Sequence, residues 1–285
     1  MKNFILVAGA TGDLGGRIIK SLIGKNAEVH ALVRSGTDKE KIAAIAALGA
    51  TITEADLTDQ EQLTEACKGA TIVISALAGL RDVIIDTQVL LLNAAVAAGV
   101  PRFIPSDFAS DFTKLPDGEN RNFDLRREFH THLDKANIKA TSIMIGAFAD
   151  ILSYNTPLYN VKEHTVSYWG GDPDWLVDFT TKDNAAEYTA AAALDNDTPN
   201  ILRIHSFRVS PLELISYAKT LNKGDFKLKP MGSLADFAAY NKRERAAHPE
   251  GEQELYAKWQ QSQYMHSMFS VQNTPLDNDR YPGIK

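Results

Sequence analysis

Apolar runs of strand length alternate with amphipathic stretches of helix length through the first half of the chain. The runs at 3–8 (NFILVA), 27–33 (AEVHALV), 50–54 (ATITE), 71–75 (TIVIS), 101–104 (PRFI) and 139–143 (KATSI) predict strands. Helical spacing between them predicts helices over 13–25, 38–48, 60–67, 82–98 and 122–136. Strands joined through helices pair in parallel, because each crossover returns the chain to the same end of the sheet. The expected fold class is therefore α/β, a doubly wound parallel sheet with a smaller C-terminal lobe. The rhythm breaks after Gly146 into an aromatic-rich stretch, a strand near 175–180 and an alanine-rich helix near 183–194. A strand near 200–204, further helices and an irregular tail follow. The run 190–193 is all alanine, which suits a helix packed closely against another element. The expected division is a nucleotide-binding domain over 1–150 and a substrate-binding lobe over 151–285, with 175–205 packing back on the first.

Composition narrows the classes. The length of 285 residues allows about two domains at roughly 150 residues each. Thirty Lys and Arg against 36 Asp and Glu leave a net charge of -6, so bulk electrostatics draw the chain neither to nucleic acid nor to an anionic membrane. The single cysteine, Cys67, excludes an internal disulfide and a cysteine-cluster zinc site, and fits a reducing cytoplasm. Lys2 followed by FILVAGA imitates a secretory signal, but the apolar run is short and cleavage would cut the glycine turn behind it. The most apolar later window, 83–100, carries Asp86, Gln88 and Asn93 and reads as a buried helix, not a membrane span.

The first strand runs into Gly9, Gly12 and Gly15, spaced three apart, and then into a helix. In such a unit the first glycine allows a tight turn, the second lets backbone amides approach a diphosphate, and the third lets helix and strand pack closely. The helix N-terminus adds its positive dipole end. Thr11, Asp13 and Leu14 lie between the glycines, and no Gly-Lys-Ser/Thr follows to make an ATPase-type phosphate loop. A dinucleotide is expected. Where an NAD-binding chain would place a carboxylate at the end of the second strand, this one has Arg34, with Ser35, Lys39 and Lys41 nearby. A guanidinium pairs with a 2'-phosphate that a carboxylate would repel, so the expected cofactor is NADP(H). Ligands of open α/β sheets lie at the C-terminal ends of strands, which adds Asp56 and Leu57 beside the adenine, and Ala76 and Leu77. Pro105, Ser106, Asp107 and Phe108, with Gly146, Ala147 and Phe148, would stand nearer the nicotinamide.

The segments VAGATGDLGG, ALVR, RFIPSDFASD and NFDLR, in this order, resemble the NmrA-like branch of the atypical short-chain dehydrogenases/reductases, nearest the isoflavone reductase and phenylcoumaran benzylic ether reductase group. The likeness is strongest from residue 3 to about 148, weaker in VDFTTKDNAAEYTAAAALD, and small over the final 70 residues. It implies an NADP(H)-binding Rossmann domain with a C-terminal lobe closing over an aromatic substrate. Tyr154, Tyr159, Tyr188, Tyr217, Tyr240, Tyr256 and Tyr264 all lack the lysine four residues on that classical members of the superfamily use. The isoflavone reductase group instead carries a lysine in a segment resembling FEVK. This chain reads FDLR there, which puts Arg126 in the lysine's place.

Arginine stays protonated, so Arg126 offers fixed donors and charge but no general base. On a helical wheel Leu125, Phe129, Leu133 and Ala136 form the core stripe, Arg126 lies at its edge, and His130 follows one turn later on the same side. Arg126 and His130 are the candidate catalytic pair, His130 or water serving as proton donor. The competing reading makes both residues solvated or structural. His132 is expected to pack against the apolar stripe; two residues from His130, it points elsewhere, and no metal site is expected. Asp107 and Asp111 cap or line the cleft on this reading. Phe148, Tyr154, Tyr159, Tyr264 and Met268 are candidate substrate contacts, with Tyr168, Trp169, Trp175, Met265 and Phe269 as further parts of an aromatic wall or of the core.

The function expected is an NADPH-dependent reductase passing hydride to a small aromatic or conjugated acceptor: a carbonyl, quinone, quinone methide or benzylic ether. A non-catalytic NADP(H)-sensing regulator is the alternative, favoured by the missing lysine. An epimerase or dehydratase fits less well with Arg34. The expected partners are a small-molecule substrate and at most a second copy of the chain in a homodimer, without nucleic acid or membrane.

Overall fold

The structure, a computed structural model, describes residues 3–222 and 224–284. Its centre is a six-stranded sheet in the order β3-β2-β1-β4-β5-β6. The strands are β1 (Phe4–Ala8), β2 (Val29–Val33), β3 (Thr51–Glu54), β4 (Ala70–Ser75), β5 (Arg102–Ile104) and β6 (Lys139–Ala140). Every pairing in it is parallel, with Val7 opposite Ala31 on one side and Ile74 on the other. Strand order reverses between β2 and β4, on either side of β1, which opens the crevice where such sheets take their ligands.

All five residues of β1 are buried, and alternation sends them to two layers. Ile5 and Val7 join the core under α1 (Asp13–Gly24), whose Ile18, Ile19 and Leu22 face inward. Phe4, Leu6 and Ala8 join the opposite core. That side holds Leu63 and Cys67 of α3 (Gln60–Cys67), Leu91 and Ala95 of α4 (Gln88–Ala97), and Leu125, Phe129 and Leu133 of α5 (Arg121–Leu133). α2 (Lys39–Ala47) covers the outer strands of the first side. Cys67 ends α3 fully buried, and burial pushes its thiol up to about 12.

Three local readings need correction. The strand expected at 139–143 divides: β6 ends at Ala140, and β7 (Ser142–Met144) pairs with β12 (Ile201–Arg203) in a separate ladder. The helix expected from 82 opens as a wide π turn over Asp82–Thr87 before α4, and the turn brings Gln88 under the loop after β5. His132 does not pack against the apolar stripe of α5: the inward face is filled by Leu125, Phe129 and Leu133, and His132 falls outside it and is exposed.

Beyond β7 the chain forms β8 (Ala147–Phe148), β9 (Tyr159–Asn160), β10 (Thr165–Tyr168), β11 (Val177–Thr180), α6 (Lys182–Leu194), β13 (Phe207–Val209), α7 (Pro211–Asn222), β14 (Lys227–Pro230), α8 (Leu234–Ala247) and α9 (Lys258–Ser270). A third core gathers Trp169, Phe179, Phe237, Met265, Met268 and Phe269. α6 belongs to the first core instead: Ala185, Ala186, Ala190, Ala192 and Ala193 are buried there, and their small side chains let it lie against α1. No helix of the described residues is long and apolar enough to cross a membrane.

Candidate functional site

The glycine turn is built as the spacing requires. Gly9 has φ +77°, and a β-carbon there would stand 2.4 Å from the Ala76 carbonyl oxygen. A β-carbon on Gly15 would stand 2.2 Å from the Gly9 carbonyl oxygen, so the close crossing of turn and helix depends on hydrogen at that position. Gly12 is exposed and serves as N-cap of α1, and no side chain caps the helix. The amides of Asp13, Leu14 and Gly15, in the first turn, have no carbonyl behind them within the helix. Such an uncapped N-terminus accepts an anion, and the residues present fit a diphosphate there. Thr11 and Leu14 are half-buried beside it, and Ala76 and Leu77 form the facing wall.

Just past β2, Arg34 and Ser35 are exposed, and the Arg34 carbonyl accepts from the Thr37 amide and hydroxyl. Among the described residues the Arg34 guanidinium makes no ion pair, and Lys39 stands exposed at the start of α2. Asp38, to which the sequence assigned no role, caps α2 by accepting from the amides of Glu40 and Lys41 at 2.9 and 3.1 Å. Asp56 is likewise turned on its own loop, accepting from Thr58, while Leu57 packs on the second core.

At the other end two strand-end loops are tied together. The Ser106 hydroxyl donates to the Leu77 carbonyl at 2.6 Å, and the Ser106 amide donates to Gln88 Oε1 at 2.9 Å. Pro105 is buried with them, and Phe108 is packed in the first core. Asp107 does not present its side chain to solvent: it is 1% exposed, and Oδ2 accepts from His130 Nε2 at 2.8 Å. The Arg126 guanidinium donates to the Asp107 carbonyl at 3.0 Å and to the Asn122 carbonyl at 2.9 Å. Arg126 and His130 thus meet on one residue. Burial alone would lower the His130 pKa; the hydrogen bond and charge of Asp107, aided by Asp134, raise it above the ordinary value. Asp111 lies elsewhere, capping the turn at Thr113 and pairing with Arg203 at 2.7 Å.

Gly146 packs against the Asp178 backbone, and Ala147 and Phe148 pair with β11, Phe148 opposite Thr180. Tyr264 meets Phe123 edge-on at 5.3 Å, and its hydroxyl accepts from Asn122 Nδ2 at 2.9 Å, on the residue whose carbonyl holds Arg126. Tyr159 stacks on Phe226, and Tyr154 is 64% exposed. Met268 is buried in the third core, where its carbonyl accepts from Trp175 Nε1, so its side chain packs that lobe. Trp169 and Phe269 pack there too.

The sequence reading missed two features. Lys182, first residue of α6, donates to Asp13 Oδ2 at 2.8 Å and pairs with Asp150 at 2.5 Å, while Arg17 joins Asp13 to Asp183. This clasp connects the glycine turn to the chain after β8. Tyr281 is the one tyrosine with lysine four residues on, Lys285. Lys285 lies outside the described residues, and the Tyr281 hydroxyl donates to Asp195 at the C-terminal end of α6. That end is about 20 Å along the helix from Lys182. An open depression of about 280 Å³ lined by Arg102, Lys139 and Asn200 lies at the N-terminal ends of β5 and β6, opposite the glycine turn. Among the described residues no three His, Cys, Asp or Glu side chains are grouped to hold a metal ion.

Comparison with known proteins agrees with this layout. The profile of the NmrA-like family matches residues 1–215. Pinoresinol reductase 2 of Arabidopsis thaliana is 30% identical over 269 residues, 88% of this chain and 84% of the relative. The solved structure of AtPrR2 with NADP+ and (+)pinoresinol superposes with a TM-score of 0.77 at 27% identity, covering 100% of this chain and 96% of that one. An isoflavone reductase crystal structure, at 21% identity and a TM-score of 0.78, covers 100% of this chain and 96% of its own and shares the fold.

Proposed function

Because the chain belongs to the NmrA-like family, we propose that it is an NADPH-dependent reductase acting on a small aromatic or conjugated acceptor. The observation that carries this is the uncapped N-terminus of α1 behind Gly12, with Arg34 at the end of the neighbouring strand making no ion pair among the described residues. The relatives named for reduction of pinoresinol, and the AtPrR2 structure holding NADP+ with its aromatic ligand, support both cofactor and substrate class.

When bound, NADPH supplies the hydride. The residues of the chain do the rest. The first-turn amides of α1 hold the diphosphate, and Arg34 with Lys39 pairs with the 2'-phosphate. The linked loops at Leu77 and Ser106 set the nicotinamide end, and Phe148 and Tyr264 lie toward the acceptor. Arg126 places a fixed positive charge where the acceptor gains negative charge, and it abstracts no proton. His130, or water beside it, returns the proton. The division into a cofactor-binding unit over 1–150 and a substrate-binding lobe over 151–285 belongs to the same proposal, as does residence in a reducing cytoplasm, which the lone buried Cys67 suits.

A nucleotide titration followed by a panel of quinones, enones, aromatic aldehydes and benzylic ethers tests the reading. Sustained NADPH consumption with one of them, reduced by Arg126→Ala and by His130→Ala, is the expected result. Tight NADPH binding with no turnover across the panel would overturn it in favour of a nucleotide sensor.

A further inference from the structure

Asp107 stands on a loop that has almost no freedom. The Ser106 amide and hydroxyl are both engaged, and the Asp107 amide donates to the Pro105 carbonyl at 2.9 Å. From this loop one residue reaches two groups by two different routes: the backbone oxygen takes Arg126, and the carboxylate takes His130. The second carboxylate oxygen, Oδ1, is buried and has no partner among the described residues. Burying a carboxylate with half its acceptor capacity unused costs stability, and replacing such a pair with apolar groups is often neutral or stabilising. An arrangement of this kind next to proposed reacting groups is better explained by its effect on them.

We infer that Asp107 is the positioning residue of the reaction centre, its backbone carbonyl setting the Arg126 guanidinium and its carboxylate setting the His130 ring. The inference rests on the reading of Arg126 and His130 as the groups that serve the reduction. Asp107 itself touches neither acceptor nor cofactor in this scheme. The His130 ring is confined on its other sides by the edge-on rings of Phe112 at 5.4 Å and Phe129 at 6.3 Å, and Ser142 Oγ from β7 approaches Nε2 to 3.4 Å. The charges that act on it are Asp107 from the loop after β5, Arg126 from its own helix, and Asp134, which follows that helix at its C-terminus. Burial and Arg126 favour the neutral ring, and Asp107 is the main group opposing them. Removing that charge therefore releases the ring's orientation and moves its titration down. A proton donor that titrates lower loses activity at lower pH, so the alkaline fall of kcat moves with it.

The experiment compares the full chain with Asp107→Asn, Asp107→Glu and His130→Gln, the last identifying the His130 resonance by its disappearance. Two quantities are read: the His130 titration by NMR of histidine-labelled protein, and the pH profile of kcat with NADPH and the best acceptor of the panel. For Asp107→Asn the His130 titration is expected to fall by about one pH unit or more. kcat should fall about tenfold to a hundredfold, its alkaline limb moving the same way, with KM for NADPH within about twofold. Asp107→Glu keeps the charge but lengthens the arm, so the titration should stay raised while kcat drops partway. An unmoved His130 titration in a folded Asp107→Asn, or a loss of melting temperature alone with an unchanged pH profile, would overturn the inference. If Asp107→Asn does not fold, an Asp107→Glu protein with kcat within about twofold of the original does so instead. Failure of the underlying reading looks different: His130→Gln and the original chain would show the same rate, or no turnover at all, while the NMR arm still reports whether Asp107 governs the ring.

Discussion

Lys182 Nζ stands 2.8 Å from Asp13 Oδ2 and 2.5 Å from an Asp150 oxygen, so a cation at the start of α6 joins the glycine turn to the chain that follows β8. Lys182 is the chief cause that holds the Asp13 carboxyl below the usual carboxylate range, with Arg17 second. The pair therefore stays charged as pH falls through the ordinary carboxylate value and is lost only below it. Asp13 is also a negative charge beside the proposed diphosphate. Lys182→Met leaves Arg17 as the only cation on Asp13 and should weaken NADPH binding about fivefold at low salt, the effect of roughly 1 kcal/mol of added repulsion in water. Asp13→Asn in the same chain should restore it. A fluorescence titration reads both, and a change below about twofold at low salt would show that the clasp does not act on the nucleotide.

Gly15→Ala places a methyl 2.2 Å from the Gly9 carbonyl oxygen, a backbone atom that cannot swing aside. Either the turn opens or α1 moves away from β1. Overpacking of this kind costs about 1–3 kcal/mol, and here it would also deform the proposed anion cradle. The melting temperature and the NADPH affinity should fall together. Unchanged affinity in a destabilised protein would separate the turn from nucleotide binding.

Among the described residues Arg34 has no competing carboxylate, so its charge is available to a 2'-phosphate. A charge-assisted hydrogen bond contributes about 1.5–3 kcal/mol, so NADPH should be preferred over NADH by about tenfold to a hundredfold. Arg34→Ala should erase most of that preference by weakening NADPH alone. Parallel titrations with both nucleotides measure it; equal affinities in the original chain would sink the assignment.

Asp178, in β11, is buried against the segment after α9, where it accepts from His205 Nδ1 at 3.0 Å, from Arg208 and from the Asn273 amide at 2.7 Å. Burial would raise its pKa, but these donors outweigh it and hold the carboxyl low. A carboxyl lowered on folding contributes stability above the unfolded value and loses it as pH falls through the folded one. Asp178→Ala leaves the Arg208 and His205 donors uncompensated and should cost about 3–5 kcal/mol at pH 7. In urea denaturation the gap between the two proteins should narrow below about pH 4. A gap independent of pH would mean that packing, not the ion pairs, sets the cost.

Much of this layout is legible in the chain itself. The five-residue apolar run Phe4–Ala8 marks a strand buried on both faces, and glycines spaced three apart behind it and before a helical pattern point to a turn crossed closely by that helix. The stripe Leu125, Phe129 and Leu133 likewise announced which face of α5 points inward and left Arg126 and His130 at its edge. These are local properties, set by periodicity and by steric freedom within one or two turns of chain. What that edge touches is another matter. Asp107 meets His130 across 23 positions, and Asp13 meets Lys182 across 169, because separate elements cross there. No local period encodes such a crossing. The departure of β7 toward β12, the burial of Met268 and the exposure of His132 were settled the same way, by which surfaces the rest of the fold left available for packing and pairing.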